Sequence, residues 1–295
     1  MYESILVPTD GSEHAERAAV HAFALAEAFD ATVHVLGVAD VAAAAGPFNA
    51  GGVSGEFLER LEADAEEAVA DVASLAPHPD VVERAVVRGA PGEEILAYAE
   101  EESVDLIAMG THGRSGLSRL VAGSVTEHVL RRGSGPVVTA RVADDDPVSD
   151  YEDVLIPTDG SEPAGAAVAH GVAVAAAFDA TVHVLNVVDV GAMAAGADAA
   201  PPTALLDQLV ERGEEATGAV ADRVREADLE VVTEVREGFP GPDLLEYAEE
   251  ESVDLIAMGT HGRTGVDRLL LGSTTERTIR RAPMPVLSVP PERES

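Results

Sequence analysis

The chain has 295 residues, 54 of them acidic against 19 basic, and a formal net charge of −35. Such a field argues against nucleic acid or an anionic membrane surface as partner. The chain has no cysteine and no Trp, which leaves no disulfide framework, no thiolate chemistry and no indole platform for single strands.

The basic residues are all arginine, and the composition reads as an adaptation to a cytoplasm at molar salt, as in a halophilic archaeon. At 1 M salt the Debye length is about 3 Å, so crowded carboxylates cease to repel one another. The opening MYESILVPTD runs straight into a strand with no basic or apolar leader, and the apolar runs are too short to cross a bilayer. The expected location is cytoplasmic.

In chain order, SILVP at residues 4–8 is a continuous apolar run, expected as a buried parallel strand. Asp10, Gly11 and Ser12 turn the chain, and Ser12 with Glu13 starts a helix whose apolar face is Ala18, Ala22, Leu25 and Phe29. A second strand is predicted at 32–38, then a mobile Gly/Ala-rich connection at 42–55. A long amphipathic helix follows, marked by Phe57, Leu61, Ala65, Ala68 and Val72. A third strand at 81–88 leads through a turn at 89–92 to a helix over EEILAYAEEE. The fourth strand is 104–109. A helix at 123–132 closes with Arg131 and Arg132 and is stopped by Gly133, and a fifth strand is expected at 136–142. Alternating β and α elements imply a doubly wound parallel sheet flanked by helices.

The whole order is then repeated at a constant offset of 149 residues: Tyr2 maps to Tyr151, Asp10 to Asp159, Asp105 to Asp254 and Pro136 to Pro285. EESVDLIAMGTHGR stands at 101–114 and again at 250–263. The reading is two homologous domains, 1–143 and 151–295, joined by an acidic linker at 144–150. In the second copy FPGPD replaces APGEE, with Pro242 in the first turn of its helix.

The candidate site is a glycine pattern present twice. GTHGRSGLSRLVAGSVT (110–126) and GTHGRTGVDRLLLGSTT (259–275) each follow the apolar run VDLIAM and read Gly-x2-Gly-x9-Gly-Ser. A strand ends, the backbone turns without Cβ obstruction, and the amides of a new helix face outward, which is what a phosphate needs. In doubly wound sheets ligands bind at the carboxyl strand ends near the switch in strand order. There the loop is joined by Pro8, Thr9 and Asp10 (Pro157, Thr158 and Asp159 in the second copy), by Val38 (Val187), and by Met109 (Met258) ahead of the loop. Asp10 reads equally as a turn residue. His112 is either a phosphate or ribose donor or a packed loop histidine. Arg114 and Arg263 are either phosphate partners or solvated cations, and Ser124, Val125 and Thr126 open a helix in either case.

PTDGS, GTHGR and the GS-[VT]-TE segments resemble the universal stress protein family in its ATP-binding branch, over nearly all of both halves. The resemblance implies a five-stranded parallel sheet in the order 3-2-1-4-5 and dimers through the fifth strand. Asp10 and Val38 would then hold adenine and ribose. Gly110, His112, Gly113, Gly123, Ser124, Val125 and Thr126 would surround ribose and phosphates. The second set would be Asp159, Val187, Gly259, His261, Gly262, Gly272, Ser273, Thr274 and Thr275. Thr274 against Val125 is the one difference within the set. ATP, accompanied by Mg2+, is the implied ligand, and the two halves could pair internally through their fifth strands, leaving room for a homodimer as well.

A chain without Lys has no Walker A lysine, and there is no Gly-x-Ser-x-Gly elbow. The histidines of the first half, at 14, 21, 34, 78, 112 and 128, have no metal-cage spacing. The leading expectation is a nucleotide-binding stress-response regulator, with no metal-ligating residues and no catalytic residues. The alternatives are a slow ATPase or nucleotidyl-transfer enzyme and an interaction scaffold with empty sites.

Overall fold

The computed structural model describes residues 1–41, 55–113, 123–142, 150–191, 203–261 and 271–291. The expected mobile connection, apart from Gly55, and the linker, apart from Asp150, lie outside these residues. The chain divides into two compact units, Met1–Ser149 and Asp150–Ser295.

Unit 1 runs β1 (Ser4–Thr9), α1 (Glu13–Phe29), β2 (Thr32–Asp40), α2 (Gly55–Ser74), β3 (Val82–Gly89), α3 (Pro91–Glu101), β4 (Leu106–Gly110), α4 (Ser124–Arg132) and β5 (Val137–Ala140). Its strands lie in the order β3-β2-β1-β4-β5, each neighbouring pair parallel. Unit 2 repeats this with β6 (Asp153–Pro157), α5 (Glu162–Phe178), β7 (Thr181–Asp189), α6 (Thr203–Glu226), β8 (Val231–Gly238), α7 (Pro240–Glu250), β9 (Leu255–Gly259), α8 (Ser273–Arg281) and β10 (Val286–Val289). The order there is β8-β7-β6-β9-β10, again parallel within the unit.

The central strands explain their own sequences. Ile5, Leu6 and Val7 of β1, and Val154, Leu155 and Ile156 of β6, are fully buried, so no polar alternation survives. Each such side chain contributes roughly 1.5–3 kcal/mol by leaving water. Helix α1 starts where Ser12 accepts a hydrogen bond from the Ala15 amide, and it ends on Asp30 in the left-handed region (φ 56°). Asp179 closes α5 in the same way. Asp is one of the few residues that adopts this conformation at modest cost.

The duplicated Asp of VDLIAM anchors the sheet. Asp105 accepts from the amides of Glu3 and Ser4 at 2.8 and 3.1 Å, and Asp254 from those of Glu152 and Asp153 at 2.8 and 3.0 Å. The neighbouring Tyr2 ring packs edge-on against Phe29, with centroids 4.9 Å apart. Burial, with a smaller contribution from Asp105, pushes the Tyr2 phenol well above its ordinary value.

Several expectations shift. Phe57, assigned to the buried face of α2, is exposed, and burial in that helix is confined to Ala68, Val69, Val72 and Ala73. Helix α3 begins at Pro91, two residues earlier than the EEILAYAEEE reading, because proline's fixed φ suits the first helical position. Gly133 follows α4 with φ −62°, outside the left-handed region, and Ala282 stands in its place after α8. Glycine is therefore not required to stop this helix.

Candidate functional site

Strand order reverses at β1 in unit 1 and at β6 in unit 2, which opens a crevice at their carboxyl ends. In unit 2 the crevice is a cavity of about 440 Å³, within the range of roughly 300–1,000 Å³ common for small-molecule sites. Its wall takes Pro157, Thr158 and Asp159 from β6 and its exit, Val187 from β7, and Met258, Gly259 and His261 from β9 and its exit. Gly272, Ser273, Thr274 and Thr275 come from the start of α8. All are residues singled out by sequence; Gly262 and Arg263 lie outside the described residues. In unit 1 Pro8 and Thr9 end β1 with Asp10 just beyond it, and Val38 stands on β2 opposite Val87. Met109 and Gly110 end β4 with His112 and Gly113 beyond it, and Gly123 caps α4, which begins with Ser124, Val125 and Thr126. Arg114 is outside the described residues.

The turn after the first strand is fixed by its own side chains. The Gly11 amide donates to Thr9 Oγ1 at 3.0 Å and the Ser12 amide to Asp10 Oδ1 at 3.1 Å. Gly160 and Ser161 do the same to Thr158 and Asp159. Gly11 and Gly160 have φ of 72° and 75°, where a Cβ is strained. Asp10 is therefore a turn residue through one oxygen. Its other oxygen, Oδ2, faces the glycine loop, where a Cβ built on Gly113 would stand 2.5 Å away.

The glycines of the motif do different work. A Cβ on Gly110 would stand 2.7 Å from the His14 backbone, and one on Gly259 would be 2.3 Å from the Pro163 carbonyl oxygen. The first glycine thus lets the first helix close on the strand end. Gly123 and Gly272 precede α4 and α8, and their amides donate to the carbonyls of Thr111 and Thr260 at 2.6 and 2.9 Å. The helical ladder starts only when Glu127 bonds the Gly123 carbonyl and Glu276 that of Gly272. The amides of the three intervening residues are left outside it.

The threonine hydroxyls, expected near ribose and phosphate, are committed elsewhere. Thr126 Oγ1 donates to the Gly110 carbonyl at 2.7 Å and Thr275 Oγ1 to that of Gly259 at 2.9 Å. Both residues are buried. They tie the helix start to the strand end, so at these positions the backbone amide is the group that can serve a ligand.

His112 and His261 are held by Nδ1, 3.1 and 2.8 Å from the hydroxyls of Thr111 and Thr260. Nε2 of each is shielded from solvent and has no hydrogen-bond partner among the described residues. A buried polar atom without a partner is costly, and His261 lines the cavity. With the hydroxyl donating to Nδ1, Nε2 carries a proton that a ligand oxygen could accept.

Part of the cavity was not legible from the motif. Leu209 and Gly213 of α6 and Pro240 and Leu244 of α7 complete it, with Leu185, Asn186, Val188 and Asp189 of β7 and Ala164 of α5. Asn186 is 6% exposed and its amide donates to the Thr158 carbonyl at 2.7 Å. A Cβ on Gly213 would meet its Oδ1 at 2.6 Å. In unit 1 the corresponding strand residue is Gly37, where a Cβ would be 2.9 Å from both Ala65 O and Val69 Cγ2 of α2. A polar residue interrupting the apolar run VHVLNVV was the available signal.

Fold and site together define a tandem doubly wound α/β protein with a cleft at the switch point of unit 2. The model of the universal stress protein family matches residues 1–141 and 150–290. The chain belongs to that family, with two such domains in tandem. The universal stress protein MJ0531 of Methanocaldococcus jannaschii is 41% identical over 140 residues, 47% of this chain and 82% of its own. A universal stress protein of Mycolicibacterium smegmatis is 28% identical over 303 residues, covering 97% of both chains. A solved universal stress protein of Archaeoglobus fulgidus is 26% identical with a TM-score of 0.70, over 99% of this chain and 97% of that one.

Proposed function

We propose that each unit holds an adenine nucleotide, ATP with its Mg2+, and that the protein acts as a nucleotide-responsive stress regulator in a cytoplasm of high salt. The observation that carries this reading is the meeting, in one cavity, of a shielded donor nitrogen without a partner among the described residues and a helix start whose first amides lie outside the helical ladder. Both suit phosphate oxygens. The strand-end segment around Asp159 and Val187 is left for base and ribose, with Asn186 beside it. Unit 1 has the same donor set in His112 and the start of α4.

The proposed role is to hold the nucleotide rather than to turn it over. Among the hydroxyls of the helix starts, those of Thr126 and Thr275 already bond strand carbonyls. Equilibrium dialysis against ATP, AMP and cyclic AMP in molar KCl tests the reading, and two nucleotides bound per chain is the expected result. Absence of binding to all three by folded protein would sink it.

A further inference from the structure

The two phosphate ends differ in the groups placed around the shared histidine. In unit 1, His14 lies in the first turn of α1 with its ring centroid 5.3 Å from that of His112. Arg141 immediately follows β5, whose last residue, Ala140, accepts the Thr111 amide at 3.0 Å. That bond brings the exit of β5 alongside the residue preceding His112. Three elements thus bring His14, His112 and Arg141 to the exits of β4 and β5, with Glu13 and Asp10 the acidic groups acting on His14. Unit 2 keeps the bond, from the Thr260 amide to Val289 at 2.9 Å. At the offset of 149, however, Pro163 replaces His14 and Pro290 replaces Arg141. Of the three groups only the histidine, His261, is retained.

Resting on the nucleotide reading above, we propose that His14 and Arg141 make the unit 1 site selective for terminal phosphate charge and couple its filling to proton uptake. The unit 2 site carries no such coupling. The physical basis is mutual repulsion. In the ligand-free site burial first, then His112 and Arg141, disfavour a proton on His14. An added phosphate reverses the sign of the local field, so protonated imidazole becomes a partner instead of a like charge. The His112 Nε2, without a partner among the described residues, is filled in the same event. Pro163 and Pro290 can contribute neither charge nor a titrating group.

The test is titration calorimetry of the full chain in molar KCl at pH 6 and pH 8, each in two buffers of different ionisation enthalpy, with ATP and with adenosine. One of two ATP sites should tighten by about tenfold at the lower pH and take up protons, within the roughly hundredfold ceiling that linkage sets for one proton over two pH units. Adenosine should show neither effect. The His14→Gln/Arg141→Gln variant should lose the linkage at that site and leave the other unchanged; protonation of ATP itself cancels in the comparison with wild type. A Pro163→His/Pro290→Arg variant should confer the linkage on the second site, an outcome that does not depend on how well the first variant folds. ATP binding with no linkage, or linkage that survives the first variant, overturns the assignment and leaves nucleotide binding standing. No binding of either ligand at any pH overturns both.

Discussion

Two glycines of one motif fail in different ways when a methyl is added. At Gly110 the new Cβ would meet the backbone of His14 at 2.7 Å, and backbone cannot rotate away. Gly110→Ala should cost about 1–3 kcal/mol of stability, as overpacking does, measured by denaturant unfolding. At Gly113 the obstacle is Asp10 Oδ2 at 2.5 Å, the end of an exposed side chain. Gly113→Ala should shift the melting temperature little but weaken ATP at the unit 1 site by about tenfold, or 1.4 kcal/mol, because Asp10 must turn. Equal affinity would separate Asp10 from the ligand. A second residue-scale prediction concerns His21, buried in α1, whose pKa burial and then Arg17 bring down to about 4. Its counterpart His170 is also lowered by burial. Between pH 6.5 and 4 the unfolded chain takes the proton and the native one refuses it, so stability falls as the pH falls through that window. The loss attributable to His21 is about 3 kcal/mol at full extent. Urea unfolding at pH 7 and pH 4.5 should show a smaller pH-dependent loss in His21→Gln than in wild type.

At the scale of elements, one carboxylate in each unit adds to the strand pairing, tying the entry of β4 to that of β1 and the entry of β9 to that of β6. Asp105→Ala removes the acceptor of two amides and should lower the stability of unit 1 by about 1.5–3 kcal/mol, the range for hydrogen bonds to a charged group. Asp254→Ala should act likewise in unit 2, and a change within experimental error in both variants would refute the anchoring role. The sequence marked this Asp only as a repeated letter, since its partners lie about a hundred positions away. The strands were legible because buried parallel strands are unbroken apolar runs, and duplication showed each twice. Element ends were less so: α3 starts two residues early at Pro91, and α4 stops at Gly133 without the left-handed turn that a terminal glycine suggests. In the site, residues at strand ends were found through the motif. Asn186 with Gly213, and the inward bond of Thr275, depend on packing between distant segments and surfaced only in three dimensions.

For the whole molecule the governing quantity is the charge of −35. On α2, Glu62 and Glu66, and again Glu67 and Asp71, stand at i,i+4 spacing, where like charges cost a few tenths of a kcal/mol per pair. Arg88 offsets one of them by pairing with Glu62. Many such terms accumulate in dilute buffer, where the Debye length is about 10 Å at 0.1 M, and are mostly screened at about 3 Å in 1 M salt. The melting temperature should therefore rise steadily between 0.1 and 2 M KCl. Nucleotide affinity should obey a different balance. The net field repels a polyanion, and salt removes that repulsion. Contacts with helix-start amides and a shielded imidazole are local, lie within a Debye length even at molar salt, and persist. ATP binding should accordingly hold or strengthen as KCl increases, provided each measurement is made on protein shown by circular dichroism to be folded. A steep fall in affinity with salt would mean that exposed arginines, and not the amides and Nε2 of the cradle, carry the phosphate.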